Sequence, residues 1–98
     1  MIVGISVFEL HLPGSRSLKD KRRVVKSLID RVHQRYRLSI AETDFHDLHQ
    51  RAEIAIAAVA AGGESEMERL MEEVRNIVEG DPAVYLTRWE PQFLEAEP

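Results

Sequence analysis

Apolar residues along this chain follow two periods. Between residues 2 and 12, β-branched and large apolar side chains crowd together as they do in a strand. From residue 18 the spacing changes. Leu18, Val25, Leu28, Ile29, Val32 and Tyr36 fall on one side of a 3.6-residue repeat and predict a helix over residues 18–36. Strand patterning returns over residues 38–43 and 51–61, the latter with Ile54 and Ile56 on one face. A second helical stripe runs through Met67, Leu70, Met71, Val74, Ile77 and Val78. Residues 83–89 read as a fourth strand, and the chain from residue 91 as a loose tail.

Turn and cap residues punctuate these elements. Pro13-Gly14-Ser15-Arg16 is a loop, after which Ser17 is placed to cap the first helix, with Asp20 as a capping-box variant. Gly62-Gly63 breaks the third strand, and Ser65 with Glu68 predicts a second capping box. Gly80 followed by Asp81-Pro82 ends the second helix. Residues 44–50 form a polar loop. The order βαββαβ predicts an α+β ferredoxin-like sandwich: one domain over residues 1–98, with a four-stranded antiparallel sheet in the order 4-1-3-2 and two helices on one face. That topology brings the loop after the first strand, the start of the first helix, the 44–50 loop and the Gly80-Asp81 turn to one end of the sheet.

With 98 residues and no cysteine, a disulfide framework, thiol catalysis and a zinc ribbon are excluded. No apolar run reaches bilayer length and the N-terminus has no signal-peptide pattern, so a cytoplasmic location and no membrane partner are expected. Charge changes the picture more. Residues 16–37 hold nine basic residues (Arg16, Lys19, Lys21, Arg22, Arg23, Lys26, Arg31, Arg35, Arg37) against Asp20 and Asp30, a net of +7. The whole chain carries −4, so the remainder carries −11.

Four of those cations crowd the first turns of the first helix, where the macrodipole favours acidic residues. Free helix amides and cations together predict an anion site made of Arg16, Ser17, Lys19, Lys21, Arg22, Arg23 and Lys26. The competing expectation is a solvated basic face paired internally with Asp44, Asp47 or Asp81. His46, Asp47, His49 and Gln50 form a secondary loop at the same end. Its two histidines and two aspartates have metal-ligand chemistry but match no strong spacing, so no metal and no cofactor are expected. His11 reads as a surface histidine.

A hydrolase reading starts from Pro13-Gly14-Ser15-Arg16-Ser17, which stands where acylphosphatase-like folds hold phosphate. Such an enzyme also needs an Asn on the second strand, and the single Asn here is Asn76, in the second helix. No carboxylate–histidine arrangement for acid–base or nucleophilic work is evident, so a non-enzymatic protein is expected. In the first strand Phe8, Leu10 and Leu12 share one face and Val3, Ile5 and Val7 the other, so either register leaves apolar groups off the helix side. Tyr85 and Trp89 are expected to join them. Unless a bulge returns these groups to the core, the open face predicts a homo-oligomer. Only Phe8 is placed to stack on bases from a central strand, which disfavours base recognition on the sheet.

The segment Ser17-Leu18-Lys19-Asp20-Lys21-Arg22-Arg23, preceded by Glu9-Leu10-His11-Leu12-Pro13-Gly14-Ser15, resembles the start of the bacterial YlxP-like family. Ala41-Glu42 and Asp47-Leu48-His49-Gln50-Arg51-Ala52 resemble its second segment, and the likeness weakens after residue 61. The resemblance implies a ferredoxin-like fold. Members are often encoded beside translation-initiation and ribosome-maturation factors, so it also implies a ribosome- or RNA-associated role. The expected partner is therefore RNA or a ribosomal subunit, bound at the basic pole. The alternatives are a homodimerising protein-interaction module and, third, a small acylphosphatase-like hydrolase.

Overall fold

A computed structural model describes residues 1–97. Its elements are β1 (Ile2–His11), α1 (Leu18–Arg35), β2 (Ser39–Asp44), β3 (Arg51–Ala60), α2 (Glu64–Glu79) and β4 (Tyr85–Glu95). The sheet is antiparallel in the order β2-β3-β1-β4, with both helices on one face, as the sequence predicts. No helix among the described residues is long and apolar enough to cross a membrane.

Helix α1 starts as expected. Ser17 is extended (φ −156°, ψ 164°) and its hydroxyl accepts the Asp20 N–H at 3.1 Å. The Asp20 carboxylate accepts in turn from the Arg16 N–H at 3.0 Å, one residue before the cap. Helix α2 departs from expectation. It begins at Glu64, with Gly63 as N-cap and no side-chain cap bond, so Ser65 lies inside the first turn and the Ser65–Glu68 box does not form. Glycine is a serviceable N-cap, and Glu64 and Glu66 complement the positive helix end. Gly80 closes α2 with right-handed geometry (φ −76°) rather than a left-handed turn. The following Asp81 is buried, accepts from the Ala83 N–H at 2.9 Å and forms an ion pair with Arg31 of α1.

Strand β4 is longer than its sequence suggests. Residues beyond 89 continue the strand: Pro91 lies opposite Ser6, Phe93 opposite Gly4 and Glu95 opposite Ile2. The Ala96 N–H extends the pairing to the Met1 carbonyl at 2.9 Å. Pro91 is tolerated because β4 is an edge strand, whose outer side needs no donor. A register shift opposite Glu9/Leu10 turns both Leu86 and Trp89 toward the helices. Trp89 therefore packs against Phe8, with ring centroids 5.3 Å apart, instead of joining the open face. Phe8 itself is fully buried, so it offers no stacking surface.

The core lies between sheet and helices. Ile2, Phe8 and Leu10 of β1 and Ile54, Ile56 and Ala58 of β3 meet Val25, Leu28 and Val32 of α1 and Met67, Met71, Val74 and Val78 of α2. Helix α2 lies close against β1 at Gly4, where a Cβ would stand 2.5 Å from Met67 Sδ and 2.8 Å from Met71 Cε. Gly4→Ala is expected to lower stability by about 1–3 kcal/mol through overpacking. A shift in the denaturant midpoint at unchanged m-value would register it, and an unchanged midpoint would show that the methionines yield.

Candidate nucleic-acid interface

The basic segment divides according to direction. Lys21 turns inward and is completely buried. Its ammonium donates to the Phe45 carbonyl at 2.7 Å and the Arg51 carbonyl at 3.2 Å. Glu42 Oε2 lies 2.9 Å from the same nitrogen as an ion pair, although no donor is aligned for a hydrogen bond to that oxygen. Two protons thus meet backbone carbonyls and the charge faces a carboxylate, conditions under which a buried ammonium is tolerated. Lys21 is therefore removed from the expected anion site. Internal pairing wins for this residue, but its carboxylate partner is Glu42 rather than Asp44 or Asp47, because helix position 21 faces β2.

Arg16, Lys19, Arg22, Arg23 and Lys26 remain exposed. The last four occupy positions i, i+3, i+4 and i+7 and form one stripe on the outer face of α1. Lys26 bonds to Asp30 at 2.9 Å, with both groups exposed. Among the described residues Arg16, Lys19, Arg22 and Arg23 form no ion pair, and neither do Asp44 and Asp47. A cleft of about 480 Å³ lies elsewhere, between the helices at Arg31, Tyr36, Glu73 and Asn76. There burial first, then the Glu73 carboxylate, raises the Tyr36 phenol above its ordinary range. The cleft beside the stripe, about 460 Å³, is bordered by Pro13, Ser15, Asp20, Arg23, Pro82 and Tyr85.

The backbone at this pole is largely used. The Ser15 N–H donates to Leu12 O at 3.1 Å, the Arg16 N–H to Asp20, and the Asp20 N–H to Ser17. Ser17 is thus a cap and not an anion ligand. The free-amide part of the sequence expectation is corrected for Arg16 and Asp20, which leaves the first-turn amides of Leu18 and Lys19 and the side chains to meet an anion. Two amides of the Pro13–Ser17 loop, those of Ser15 and Arg16, are thus used within the fold, and Asn76 lies in the α1–α2 groove.

The 44–50 loop is stitched to this pole by Gln50. Its side chain donates to the Pro13 carbonyl at 3.4 Å and the Ser15 carbonyl at 3.2 Å, and its own carbonyl accepts from the Leu12 N–H at 2.9 Å. His11 Nδ1 lies 3.2 Å from the Gln50 carbonyl, and His46 Nε2 the same distance from the Glu42 carbonyl. His46, Asp47 and His49 are exposed, and no three His, Cys, Asp or Glu converge among the described residues.

On the uncovered face of the sheet the same end is ionic. Glu9 receives Arg51 at 3.2 Å and Arg88 at 3.7 Å, and Arg88 also pairs with Glu90 at 2.7 Å. The hydrogen bond from Arg88 holds the Glu90 carboxyl below the ordinary carboxylate range. The other end of this face is apolar, with Ile5, Val59 and Leu94 exposed.

Residues 3–90 match the family described as "Protein of unknown function (DUF503)". The "Uncharacterized protein YlxP" of Bacillus subtilis (strain 168) is 30% identical over 91 residues, spanning 90% of this chain and 99% of the relative. Within the Ser17–Arg23 segment, Ser17, Asp20 and Lys21 serve the fold, while Lys19, Arg22 and Arg23 face outward.

Lys21→Ala is expected to cost about 3–5 kcal/mol, because Glu42 is left without its counter-charge in a largely buried position. Adding Glu42→Leu to Lys21→Met should recover part of that loss; the Phe45 carbonyl keeps the Leu48 N–H, while the Arg51 carbonyl loses the ammonium. Arg22→Ala, one residue along, should stay within about 0.5 kcal/mol of the native chain. Denaturant unfolding of the four proteins distinguishes a structural from a surface lysine.

Proposed function

The chain belongs to the DUF503 family, and from its surface we propose a non-enzymatic RNA-binding accessory domain, acting in association with the ribosome. One observation carries the reading: Arg16, Lys19, Arg22 and Arg23 stand together without carboxylate partners among the described residues, in a chain whose net charge is −4. Cations left unpaired in an acidic protein favour a polyanionic partner. Clustered on one helix face, they raise the local potential that draws such a partner in on approach.

The form of the stripe favours a polymer over a small anion. Lys19, Arg22/Arg23 and Lys26 step along α1 by about 5.4 Å per turn, presenting successive charges on a convex surface. Backbone recognition also fits what the sheet lacks. Its central strands expose no aromatic ring, so bases have no platform there, and affinity is expected to come from phosphates with little sequence preference.

Binding to ribosomal subunits and to unstructured RNA should weaken steeply with salt. Lys19→Ala, Arg22→Ala and Arg23→Ala should each lower the slope of log affinity against log salt by about 0.7–0.9 if each residue neutralises one phosphate. Melting temperatures should be nearly unchanged. Arg88→Ala, on the sheet face, should leave the slope alone. Cosedimentation and a salt titration test this. Absence of salt-sensitive binding by the native chain, or equal slopes for all variants, would overturn it.

A further inference from the structure

Helices cover one face of the sheet and nothing among the described residues covers the other. That open face is divided across its length. At the end remote from the basic pole, Val3, Ile5 and Val7 of β1 lie beside Val59, Ala57 and Ala55 of β3, and Leu94 of β4 lies beside Val3. Ile5 is 42% exposed, and Val59 and Leu94 are each 65% exposed. At the near end the face carries Glu9, Arg51, Arg88 and Glu90.

We propose that two copies of this chain pack open face to open face about a two-fold axis running along the strands, so that both α1 stripes emerge at the same end of the dimer. The occupant is a second sheet because the face is built of short aliphatic side chains spread over three strands. Ala41, Ala55 and Ala57 stand among Val3, Ile5 and Val59 with no aromatic ring, and the one concavity there, about 530 Å³ beside Val3, Leu38, Ala57 and Val59, is open and shallow enough for interdigitating side chains. Stacked sheets approach to about 10 Å through such side chains.

Area sets the extent of overlap. Four strands about 4.8 Å apart, with central strands of ten residues, present about 19 by 33 Å, or about 600 Å² in plan. A standard interface uses about 800 Å² of accessible surface per partner, which the whole face supplies once side-chain relief is included and the apolar half alone does not. Full overlap leaves two in-plane axes. An axis across the strands would lay Ile5, Val59 and Leu94 on Glu9, Arg51 and Arg88, desolvating ion pairs against apolar groups. An axis along the strands lays β1 of one copy over β3 of the other, apolar half on apolar half and ionic half on ionic half. The ionic half is prepared for this, since Arg51–Glu9 and Arg88–Glu90 are already paired and Thr43 donates to Glu53 at 2.8 Å. Mixed signs at that end also let each copy complement the other.

Light scattering of the native chain should give the mass of a dimer at high micromolar concentration. Val59→Glu and Leu94→Glu, both at exposed positions, should halve that mass while the melting temperature stays near that of the isolated fold. The axis is read separately. The chain has no native cysteine, so Lys19→Cys takes a single nitroxide per copy. With helix layers about 10 Å beyond each sheet and Lys19 a further helix radius of about 5 Å outward, the two labels should lie about 40 Å apart if the poles share an end and about 50 Å apart if they do not. A native monomer, or a dimer that survives both glutamates, overturns the interface. A dimer with the longer distance overturns the axis and with it the paired stripes. None of these readings depends on RNA being bound.

Discussion

Lys21 holds the basic end of this molecule together. Its ammonium leaves water completely and meets the Phe45 and Arg51 carbonyls and the Glu42 carboxylate. Those acceptors come from β2, from the first residue of the hairpin loop and from the first residue of β3. One side chain therefore ties the start of α1 to both ends of the hairpin. The loop it holds includes Phe45 at φ +61°, a left-handed conformation that a non-glycine residue adopts only under constraint. Phe45 is fixed through its carbonyl by Lys21 and Leu48, and through its ring by the Arg51 guanidinium, 4.0 Å from the centroid. Gln50 passes the constraint on to the Pro13–Ser17 segment.

The outward cations depend on that anchorage. A helix with Lys19, Arg22, Arg23 and Lys26 on one side repels itself across successive turns. Burying Lys21 removes one charge from this crowd to a site where it has partners. Asp20 meanwhile secures the Arg16 amide and keeps one acidic group near the positive end of the helix. Local rules are broken on the outer face of the helix and observed on its inner face. That contrast is the physical reason to look for a polyanion on the outside.

The two sides of the sheet show a second division of labour. The helix side satisfies its apolar groups within the chain, drawing Trp89 in through the β4 register shift. The open side sorts itself along the strands into aliphatic and ionic halves. The aliphatic half is a contiguous exposed apolar patch, which the proposed association of two copies would remove from water.

Element types, their order and the sheet topology were determined by the sequence alone, because periodicity, turn residues and the Ser17 cap act over a few residues. The charge asymmetry and the alternation in β1 were equally open to reading. Tertiary structure alone decided the direction of Lys21, since its acceptors lie on β2, the hairpin loop and β3, far along the chain. It also decided that β4 runs on past Pro91, because β1 supplies the partner that a proline-containing tail lacks by itself. Trp89 was turned inward by a register shift that no local pattern records. In each of these cases the controlling energy comes from groups brought close only by folding.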